Sequence, residues 1–468
     1  MPSRQDQLHS YQYSLQRVVA ALVTHEPDPY RSPLRRAGTT ALVSLVIAAL
    51  AVGAAAVYGL LTGHSNVNLQ DESAVFLEKG TGARYVFLKS DGKLHPVLNY
   101  TSGLLVTSGS EPRVVSASRD HLAKVPLGDP LGIPDAPDSL PAAGSLLTGR
   151  WSVCSQPPDP AASDSGPRST LLVGHRIADG RVAAAPGPGQ APAGLLVQDP
   201  AERIFLVYAN KRFLFPEGRA TATLRALGWA DRQPWPVAAA WANSVPLGPD
   251  LVPPPVPDAG DDSGVRDWRV GQLVTDGKQW GVVLSDGLAP ITAVQALLLQ
   301  TEPDAYPPVE LGSAFNTLPA SRRQLVDAGG LPPAVPELIT PAARVCMTLP
   351  LDQAGDGVRI DPTVPAGVPV RGAPAVPGGV QADLVHVERG RGALVAAAAS
   401  ATAPPDSGTV SIVTDTGRRY PLAARDLLGR LGYAGKAPVQ VPAQLVALLP
   451  QGPPLDPARA RRSATADR

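Results

Sequence analysis

The chain has 468 residues, with 41 basic and 41 acidic side chains and therefore no net charge at pH 7. Hydrophobic residues make up 44% of it, which excludes an intrinsically disordered chain, and the balanced charge provides no electrostatic footprint for nucleic acid. A chain of this length is expected to form more than one domain.

An amphipathic helix is predicted near the N-terminus, from about Gln5 to Thr24. Its apolar residues recur alternately three and four positions apart, which is typical of a seam along one helix face: Leu8, Tyr11, Leu15, Val18 and Leu22. Two interpretations stay open, a helix that rests on the membrane surface and a docking helix for a cytoplasmic partner. The scarcity of Lys and Arg along the seam favours docking to a protein.

The next segment, 39–61, is an apolar run of 23 residues without a charge. At about 1.5 Å per residue, a helix of this length crosses a hydrocarbon layer of about 30 Å. Arg31, Arg35 and Arg36 precede it, and no Lys or Arg follows until Lys79, so the positive-inside rule predicts a cytoplasmic N-terminus and an exported body. A cleaved signal peptide is the alternative, but the run is longer than a usual signal core.

The exported body contains the two cysteines of the chain, Cys154 and Cys346, both in strand-like segments. In an oxidising compartment a disulfide is the simplest interpretation, and two unrelated buried thiols or a redox pair are the alternatives. In the chain-entropy model a bridge that closes so long a loop contributes roughly 4–5 kcal/mol to stability.

Four segments share one pattern: an apolar strand, a tight turn, a short second strand and a Leu-rich helical stretch. The turns of the four copies are Asp91-Gly92, Asn210-Lys211, Asp286-Gly287 and Asp415-Thr416-Gly417. Because Gly and Asn tolerate positive φ, such turns between apolar runs predict hairpins. Each hairpin ends at a proline, a residue that suits the first turn of a helix: Pro96, Pro216, Pro290 and Pro421. Each copy is therefore predicted to be a ββα module that buries one face against a neighbour.

Pro-rich tracks follow three of the copies, at 125–137, 245–257 and 441–455. The segments around the cysteines are predicted to form a central β-rich domain. The resulting order is a cytoplasmic segment 1–38, a membrane helix 39–61, a first repeat 62–124, the first central part 125–200, a second repeat 201–244, a linker 245–277, a third repeat 278–330, the second central part with a linker 331–400, a fourth repeat 401–454 with its C-terminal track, and a flexible tail 455–468.

Motifs of known chemistry are missing from the sequence. It has no phosphate-binding G-x-x-x-x-G-K-[ST] and no G-x-S-x-G, and its seven His are scattered. Asp352, Asp356 and Asp361 do not follow the spacing of an EF-hand and are interpreted as turn residues. The sequence therefore predicts no catalytic, cofactor or metal site, and a protein that is not an enzyme.

The chain resembles the EccB family, membrane-anchored core subunits of actinobacterial type VII (ESX) secretion systems. The resemblance covers nearly the whole chain and rests on RQDQLHSYQYSLQRVVAALV with DPYRSPLRR before the anchor, on HPVLNYTSGLLV, VPLGDPLGIPDAPDSLP, WSVC and RVC, and on the four copies in this order. The second copy departs from the others at Asn210-Lys211, which puts its role in inter-subunit contacts in doubt.

That resemblance implies an α+β, β-rich fold, with an elongated periplasmic region of four repeat domains around a central domain that the Cys154–Cys346 disulfide bridges. It implies an inner-membrane complex with an EccC-like ATPase and EccD-like and EccE-like subunits, a mycosin protease nearby and self-association. Some family members are described as binding or hydrolysing ATP, which the missing phosphate loop argues against here.

Three functions follow as hypotheses. The first is a non-catalytic scaffold of a secretion complex. The second is a tether that binds peptidoglycan or another wall glycan, for which exposed tryptophans would stack on sugars, although core packing is the preferred interpretation of Trp151, Trp229, Trp235 and Trp241. The third is an ATP-hydrolysing extracytoplasmic domain.

Overall fold

The computed structural model describes residues 3–25, 33–62, 67–158, 166–182, 193–325, 330–352, 356–371, 378–400, 403–404 and 407–463. The chain divides into two compact units. The N-terminal unit comprises 1–69 and 116–124, and the sheet-rich unit comprises 70–115 and 125–468.

The helices within these ranges include two long ones near the N-terminus and several short ones. They are α1 (Arg4–Thr24), α2 (Pro33–Thr62), α3 (Tyr100–Val106), α4 (Arg119–Leu122), α5 (Ala220–Ala226), α6 (Ala239–Ser244), α7 (Ala293–Leu299), a 3-10 helix (Gly312–Thr317), α8 (Leu427–Arg430), α9 (Ala443–Ala447) and α10 (Pro457–Ala460).

The N-terminal unit contains the predicted amphipathic helix as α1. Its start is fixed by a capping box, in which the Ser3 hydroxyl accepts the Asp6 N–H and the Asp6 carboxylate accepts the Ser3 N–H. Helix α2 contains the predicted membrane segment, and its stretch Gly38–Gly59 is long and apolar enough to cross a bilayer, with a mean hydropathy of 2.4 and no buried residue.

The strands are mostly two to six residues long. They are β1 (Ala74–Glu78), β2 (Arg84–Leu88), β3 (Lys93–Pro96), β4 (Arg113–Ala117), β5 (Trp151–Gln156), β6 (Arg168–Leu172), β7 (Arg181–Val182), β8 (Ala193–Gln198), β9 (Ile204–Tyr208), β10 (Lys211–Leu214), β11 (Trp235–Pro236), β12 (Leu273–Thr275), β13 (Trp280–Leu284), β14 (Gly287–Ile291), β15 (Val309–Glu310), β16 (Glu337–Leu338), β17 (Val345–Leu349), β18 (Gly357–Ile360), β19 (Val368–Pro369), β20 (Leu384–His386), β21 (Ala393–Ala398), β22 (Val410–Val413), β23 (Arg419–Pro421) and β24 (Val439–Pro442).

Four sheets share one topology, in which three strands form an antiparallel meander and a fourth strand pairs with the first. Their orders are β3-β2-β1-β4, β10-β9-β8-β11, β14-β13-β12-β15 and β23-β22-β21-β24. In the last three sheets the fourth strand runs parallel to the first. These sheets are the four repeats. A further short strand, β16, extends the second sheet by pairing with β8.

Each repeat is thus a βββαβ unit, in which the expected ββα module is present and two further strands, one before it and one after it, were not expected. The missed first strands are continuous apolar runs without alternation, such as Ala193–Gln198 and Ala393–Ala398, and the missed last strands are too short to give a periodic signal. Strands β8, β12 and β21 lie in repeat sheets, although the expected boundaries placed them in central or linker segments.

The predicted central domain is a sheet of seven strands, in the order β19-β20-β6-β5-β17-β18-β7. It is built from two distant parts of the chain, and the two cysteine strands β5 and β17 are antiparallel neighbours in its middle. Its inner face shares one hydrophobic core with the second and fourth repeats.

Strand β21 of the fourth repeat takes part in two cores. Ala393 and Val395 lie in the central core, whereas Leu394 and Ala396 lie in a second core that the fourth repeat shares with the first. Successive side chains of a strand point to opposite faces, so the sheet of the fourth repeat is buried on both sides.

The C-terminal segment is more ordered than the expected flexible tail. Leu455 and Ala460 are fully buried in the core between the first and fourth repeats, and the Asp456 carboxylate caps α10 at the Ala458 N–H. An N-cap Asp followed by Pro457 is a helix-start signal that the basic composition of the segment obscured. Residues 464–468 lie outside the described ranges.

The prolines at the hairpin ends do not begin helices, which corrects a second expectation. Pro96, Pro290 and Pro421 lie in the edge strands β3, β14 and β23, Pro216 follows the edge strand β10, and the next helices start several residues later. A residue without an N–H is tolerated at an edge because no inner strand needs that donor.

The Pro-rich tracks run along these edges. In the first repeat, the Pro126 carbonyl accepts the Leu94 N–H at 2.9 Å, and the Gly128 N–H donates to the Leu94 carbonyl at 2.8 Å. The same pair of bonds recurs at the edge strands of the other repeats, with Pro246 and Gly248, Pro319 and Ser321, and Pro450 and Gly452. Each track therefore covers an otherwise open sheet edge.

The glycine of the track is required wherever an aromatic ring faces it. A Cβ on Gly128 would overlap the His95 ring, and the same holds for Gly248 at Phe213. The fourth repeat repeats this pairing with Gly452 and Tyr420, and the third repeat, where Ala289 follows Leu288, tolerates Ser321.

We predict that Gly128→Ala lowers the free energy of unfolding by about 1–3 kcal/mol, because the added methyl group must displace the His95 ring. Gly144→Ala is the matched control, since no atom lies within 4 Å of its Cβ position. Denaturant unfolding of both variants checks this, and equal stabilities would contradict the packing argument.

Candidate interaction surfaces

The apolar seam of α1 is exposed over its full length. The exposed fractions are 56% for Leu8, 67% for Tyr11, 48% for Leu15, 59% for Val18 and 75% for Leu22. Ala20, on the opposite face of the helix, is 3% exposed. A leucine-rich face this open in water is typical of a surface that another molecule covers.

The residues predicted to set the membrane orientation lie between α1 and the apolar part of α2. Arg35 and Arg36 fall in the first turn of α2, and Arg31 lies outside the described residues. Their place between seam and anchor follows from the sequence itself.

The predicted disulfide is present. Cys154 and Cys346 are directly paired across β5 and β17, with an S–S distance of 2.02 Å. They lie in a small buried cluster with Leu172 and Ile177. The bridge therefore links the two distant chain segments that build the central sheet.

We predict that replacing both cysteines by alanine lowers the free energy of unfolding by about 2–5 kcal/mol, because the unfolded chain gains the entropy of a long open loop. Denaturant unfolding measures this. Dithiothreitol is expected to lower the free energy of unfolding of the wild type to that of the double variant and to leave the variant unchanged. Equal stabilities of the two chains without reductant would contradict the prediction.

The four predicted turns lie at the hairpin ends and are not brought together into one site. The Asn210 Oδ1 accepts the Val358 N–H of the central sheet at 2.9 Å, and Asp415 accepts the Gly390 N–H at 3.0 Å. Asp286 accepts the Ser321 hydroxyl at 2.6 Å and the Arg322 N–H at 3.1 Å. These contacts fasten each hairpin to its surroundings, which is a structural role.

The second turn is shifted by one residue from its expected position. Ala209 and Asn210 have φ of 48° and 60°, as a two-residue type I′ turn requires, and Lys211 is the first residue of β10. Gly92 and Gly417 have positive φ in their turns, and Gly287 begins β14.

A buried histidine of β3, His95, contacts the first turn. The His95 Nε2 lies 2.9 Å from the Asp91 carboxylate and the Nδ1 lies 2.8 Å from the Asp129 carbonyl, so each ring nitrogen is within hydrogen-bond distance of an oxygen. Burial acts to raise the pKa of Asp91, but hydrogen bonds from the Lys93 N–H and from His95 outweigh it and hold that pKa below its usual value. This pair ties the hairpin to the Pro-rich track.

The aspartates weighed as a calcium loop have protein partners. Asp356, buried, lies 3.1 Å from the Arg176 Nε and 3.5 Å from the Arg150 Nε. Asp352 pairs with Arg150, and Asp361 accepts the backbone N–H groups of residues 342–344. Within the described ranges no group of three or more His, Cys, Asp or Glu has the placement of a metal site.

The tryptophans suggested for sugar stacking are core residues. Trp151, Trp229 and Trp241 are 2%, 6% and 0% exposed, and Trp235 is half-buried against the central core. The preferred interpretation, core packing, is confirmed for the three buried rings.

A membrane-length helix followed by four copies of one small fold around a bridged central sheet defines a membrane-anchored, multi-repeat protein. The sequence matches the family described as "Type VII secretion system ESX-1, transport TM domain B" over residues 1–466. The chain therefore belongs to the EccB family of type VII secretion systems, and the resemblance and the fold class are both confirmed.

Several relatives and solved structures support this assignment. The ESX-3 secretion system ATPase EccB3 of Mycolicibacterium smegmatis is 27% identical over 96% of this chain and 88% of that protein. The ESX-5 secretion system ATPase EccB5 of Mycobacterium tuberculosis is 28% identical over 98% of this chain and 93% of its own length.

The fold is similar to a chain in the EccB3 dimer of the ESX-3 core complex, with a TM-score of 0.62, 26% identity and coverage of 83% of this chain and all (100%) of that one. It is also similar to a chain of an intact ESX-5 inner membrane complex, with a TM-score of 0.66, 22% identity and coverage of 99% and 95%.

Proposed function

We propose that the chain is a non-catalytic structural subunit of a type VII (ESX) secretion complex, which links the cytoplasmic ATPase and the membrane channel subunits to the periplasmic assembly. The observation that carries this is the exposed seam of α1, placed a few residues before the membrane-length helix α2. A docking face beside an anchor holds a partner at the membrane surface, and the large sheet-rich unit follows on the other side.

The proposed orientation of the chain in the membrane rests on the arginines that precede its apolar stretch. Arg31, Arg35 and Arg36 precede the apolar stretch, and the next Lys or Arg after it is Lys79. The positive-inside rule then assigns α1 to the cytoplasm and the repeats to the periplasm. The protein is accordingly a single-pass protein of the inner membrane.

The proposed partners follow from the family. They are an EccC-like ATPase, EccD-like and EccE-like membrane subunits, a mycosin protease nearby and further copies of the chain, with no nucleic acid. A related EccB3 was solved as a dimer in an ESX-3 core complex, which supports self-association. We assign the seam to a cytoplasmic or membrane subunit, because it lies on the anchor's N-terminal side.

We predict that Leu15→Asp with Val18→Asp releases a cytoplasmic or membrane partner, because two charges in the seam prevent its burial. The matched control is Ser10→Asp with Gln16→Asp, which adds the same charge to exposed positions away from the seam. The measurement is native purification in mild detergent, with sizing and identification of companions by mass.

The expected result is a large particle with an FtsK-like ATPase and a multispanning protein for the wild type and the control, and loss of at least one of them for the seam variant. Normal unfolding of the sheet-rich unit in all three chains shows that the loss is local. A full complex with the seam variant would contradict the docking role.

The glycan-tether hypothesis loses its main support, because its candidate stacking rings are buried or half-buried. Retention of the purified exported unit on isolated sacculi would support the glycan-tether hypothesis. Passage of the unit without retention agrees with the proposed scaffold role.

The relatives EccB3 and EccB5 are named as ATPases, so catalysis needs its own test. The chain lacks the glycine-rich loop that cradles phosphates. We predict that phosphate release from ATP by the purified full chain falls toward background as purity rises. A constant specific activity across successive columns would contradict the non-catalytic proposal.

A further inference from the structure

An arginine without an ion-pair partner among the described residues lines a cleft in the fourth repeat. The cleft has a volume of about 290 Å³ and lies between the edge strand β23, helix α9 and the Pro-rich track. Its lining includes Ala397, Thr409, Arg419, Pro421, Ala447 and Gln451.

The Arg419 guanidinium has no acceptor among the described residues. Its Nε is buried without a hydrogen-bond partner, and no carboxylate of the described chain forms an ion pair with it. Burial lowers the pKa of Arg419, because it disfavours the charged guanidinium. Arg419 as a whole is half-buried, so part of the guanidinium stays open to a ligand or to water.

The second repeat shows how the same arginine is held when it has partners. Arg212 occupies the equivalent position on β10, since it pairs with Val207 as Arg419 pairs with Val413. The Arg212 Nη1 donates to the Asn243 Oδ1 at 3.2 Å. Its guanidinium also stacks on the Phe205 ring, 5.2 Å from the centroid, although its Nε likewise lacks a partner.

The fourth repeat has lost both of these partners. Counting back from the equivalent track residues Pro246 and Pro450, Ala447 of α9 stands where α6 has Asn243. By strand register, Ser411 stands where the second repeat has Phe205. The fourth repeat therefore has a smaller side chain at both positions, and one of them, Ala447, lines the cleft.

Ser411 adds an independent observation. It is 1% exposed, its hydroxyl has no hydrogen-bond partner among the residues that the structure describes, and it pairs with Pro421, which lines the cleft. A buried hydroxyl without a partner is rare and calls for a ligand or water. The guanidinium and this hydroxyl lie on the same face of the sheet.

We propose that this cleft binds a carboxylate, with Arg419 as its cationic partner. A guanidinium matches the two oxygens of a carboxylate with two parallel hydrogen bonds. At about 30 Å³ per water the cleft holds roughly ten waters, which is room for a small carboxylic acid or a glutamate side chain. The carboxylate comes either from a free small acid or from an acidic side chain of a second copy of this chain.

The test is thermal unfolding of the full chain in mild detergent, with sodium acetate compared with sodium chloride at equal ionic strength. For a tenfold excess over the dissociation constant we expect acetate to raise Tm by about 1–2 °C. The rise is expected to vanish in Arg419→Met. It also vanishes in Ala447→Asn, which supplies the amide of the second repeat and is expected to fold normally.

A second arm separates the two sources. If a second copy supplies the carboxylate, the wild-type Tm rises with protein concentration and this dependence is lost in both variants, whereas a free acid gives the acetate response alone. Either result supports the proposal. A wild type that responds to neither acetate nor concentration overturns it, as does an Arg419→Met variant that responds like the wild type.

Asp406 lies three positions before Thr409, outside the described residues. An acetate response that appears only in Asp406→Asn would identify a carboxylate of the same chain as the occupant. That result would also overturn the proposal.

Discussion

The alternation of side chains along β21 is the constraint on which the packing of the sheet-rich unit depends. Val395 lies in the core with the central sheet, and its neighbour Leu394 lies in the core with the first repeat. A shift of one residue in the register of this strand would exchange the two sets. The neighbouring strand obeys the same rule, since Val413 and Ile412 belong to different cores. The fourth repeat thereby joins the central sheet to the first repeat.

The central sheet supplies the complementary constraint, because it brings together two segments that are far apart in the chain. Pairing such segments is entropically expensive, and the disulfide between β5 and β17 lowers that cost by restricting the unfolded chain. The bridge lies in the middle strands, where pairing on both sides fixes the register. The repeats that pack against the central sheet can then differ in sequence while the strand pairing of that sheet stays the same.

The sequence was most informative where a local signal has a single physical meaning. The charge-free run became α2, the 3-4 spacing became α1, and two cysteines in an exported chain became a bridge. The turn residues located all four hairpins. The first and last strands of each repeat, in chain order, were not predicted. Ala393–Ala398 is buried on both faces, and Trp235–Pro236 has only two residues. Neither gives an alternating pattern.

The Pro-rich tracks were noticed in the sequence but their role was not. Proline composition alone suggests an extended linker. The two hydrogen bonds, from the Leu94 N–H to the Pro126 carbonyl and from the Gly128 N–H to the Leu94 carbonyl, depend on a sheet edge that lies elsewhere in the chain. A positional signal was nevertheless present. Three of the tracks contain Pro-x-Gly, and the third repeat replaces Gly by Ser321 where the facing ring becomes Ala289. Such paired changes between copies are readable only once the copies are aligned in space.

The same comparison between copies separates residues that maintain the fold from residues that have diverged. His95, Phe213 and Tyr420 differ chemically, yet each faces a track glycine, so the shared geometry is a requirement of the fold. Arg212 and Arg419 are the opposite case, since the residue is retained and its surroundings are not. Arg419 therefore differs from the track-facing positions, because the same residue stands in both repeats while the side chains around it are not the same.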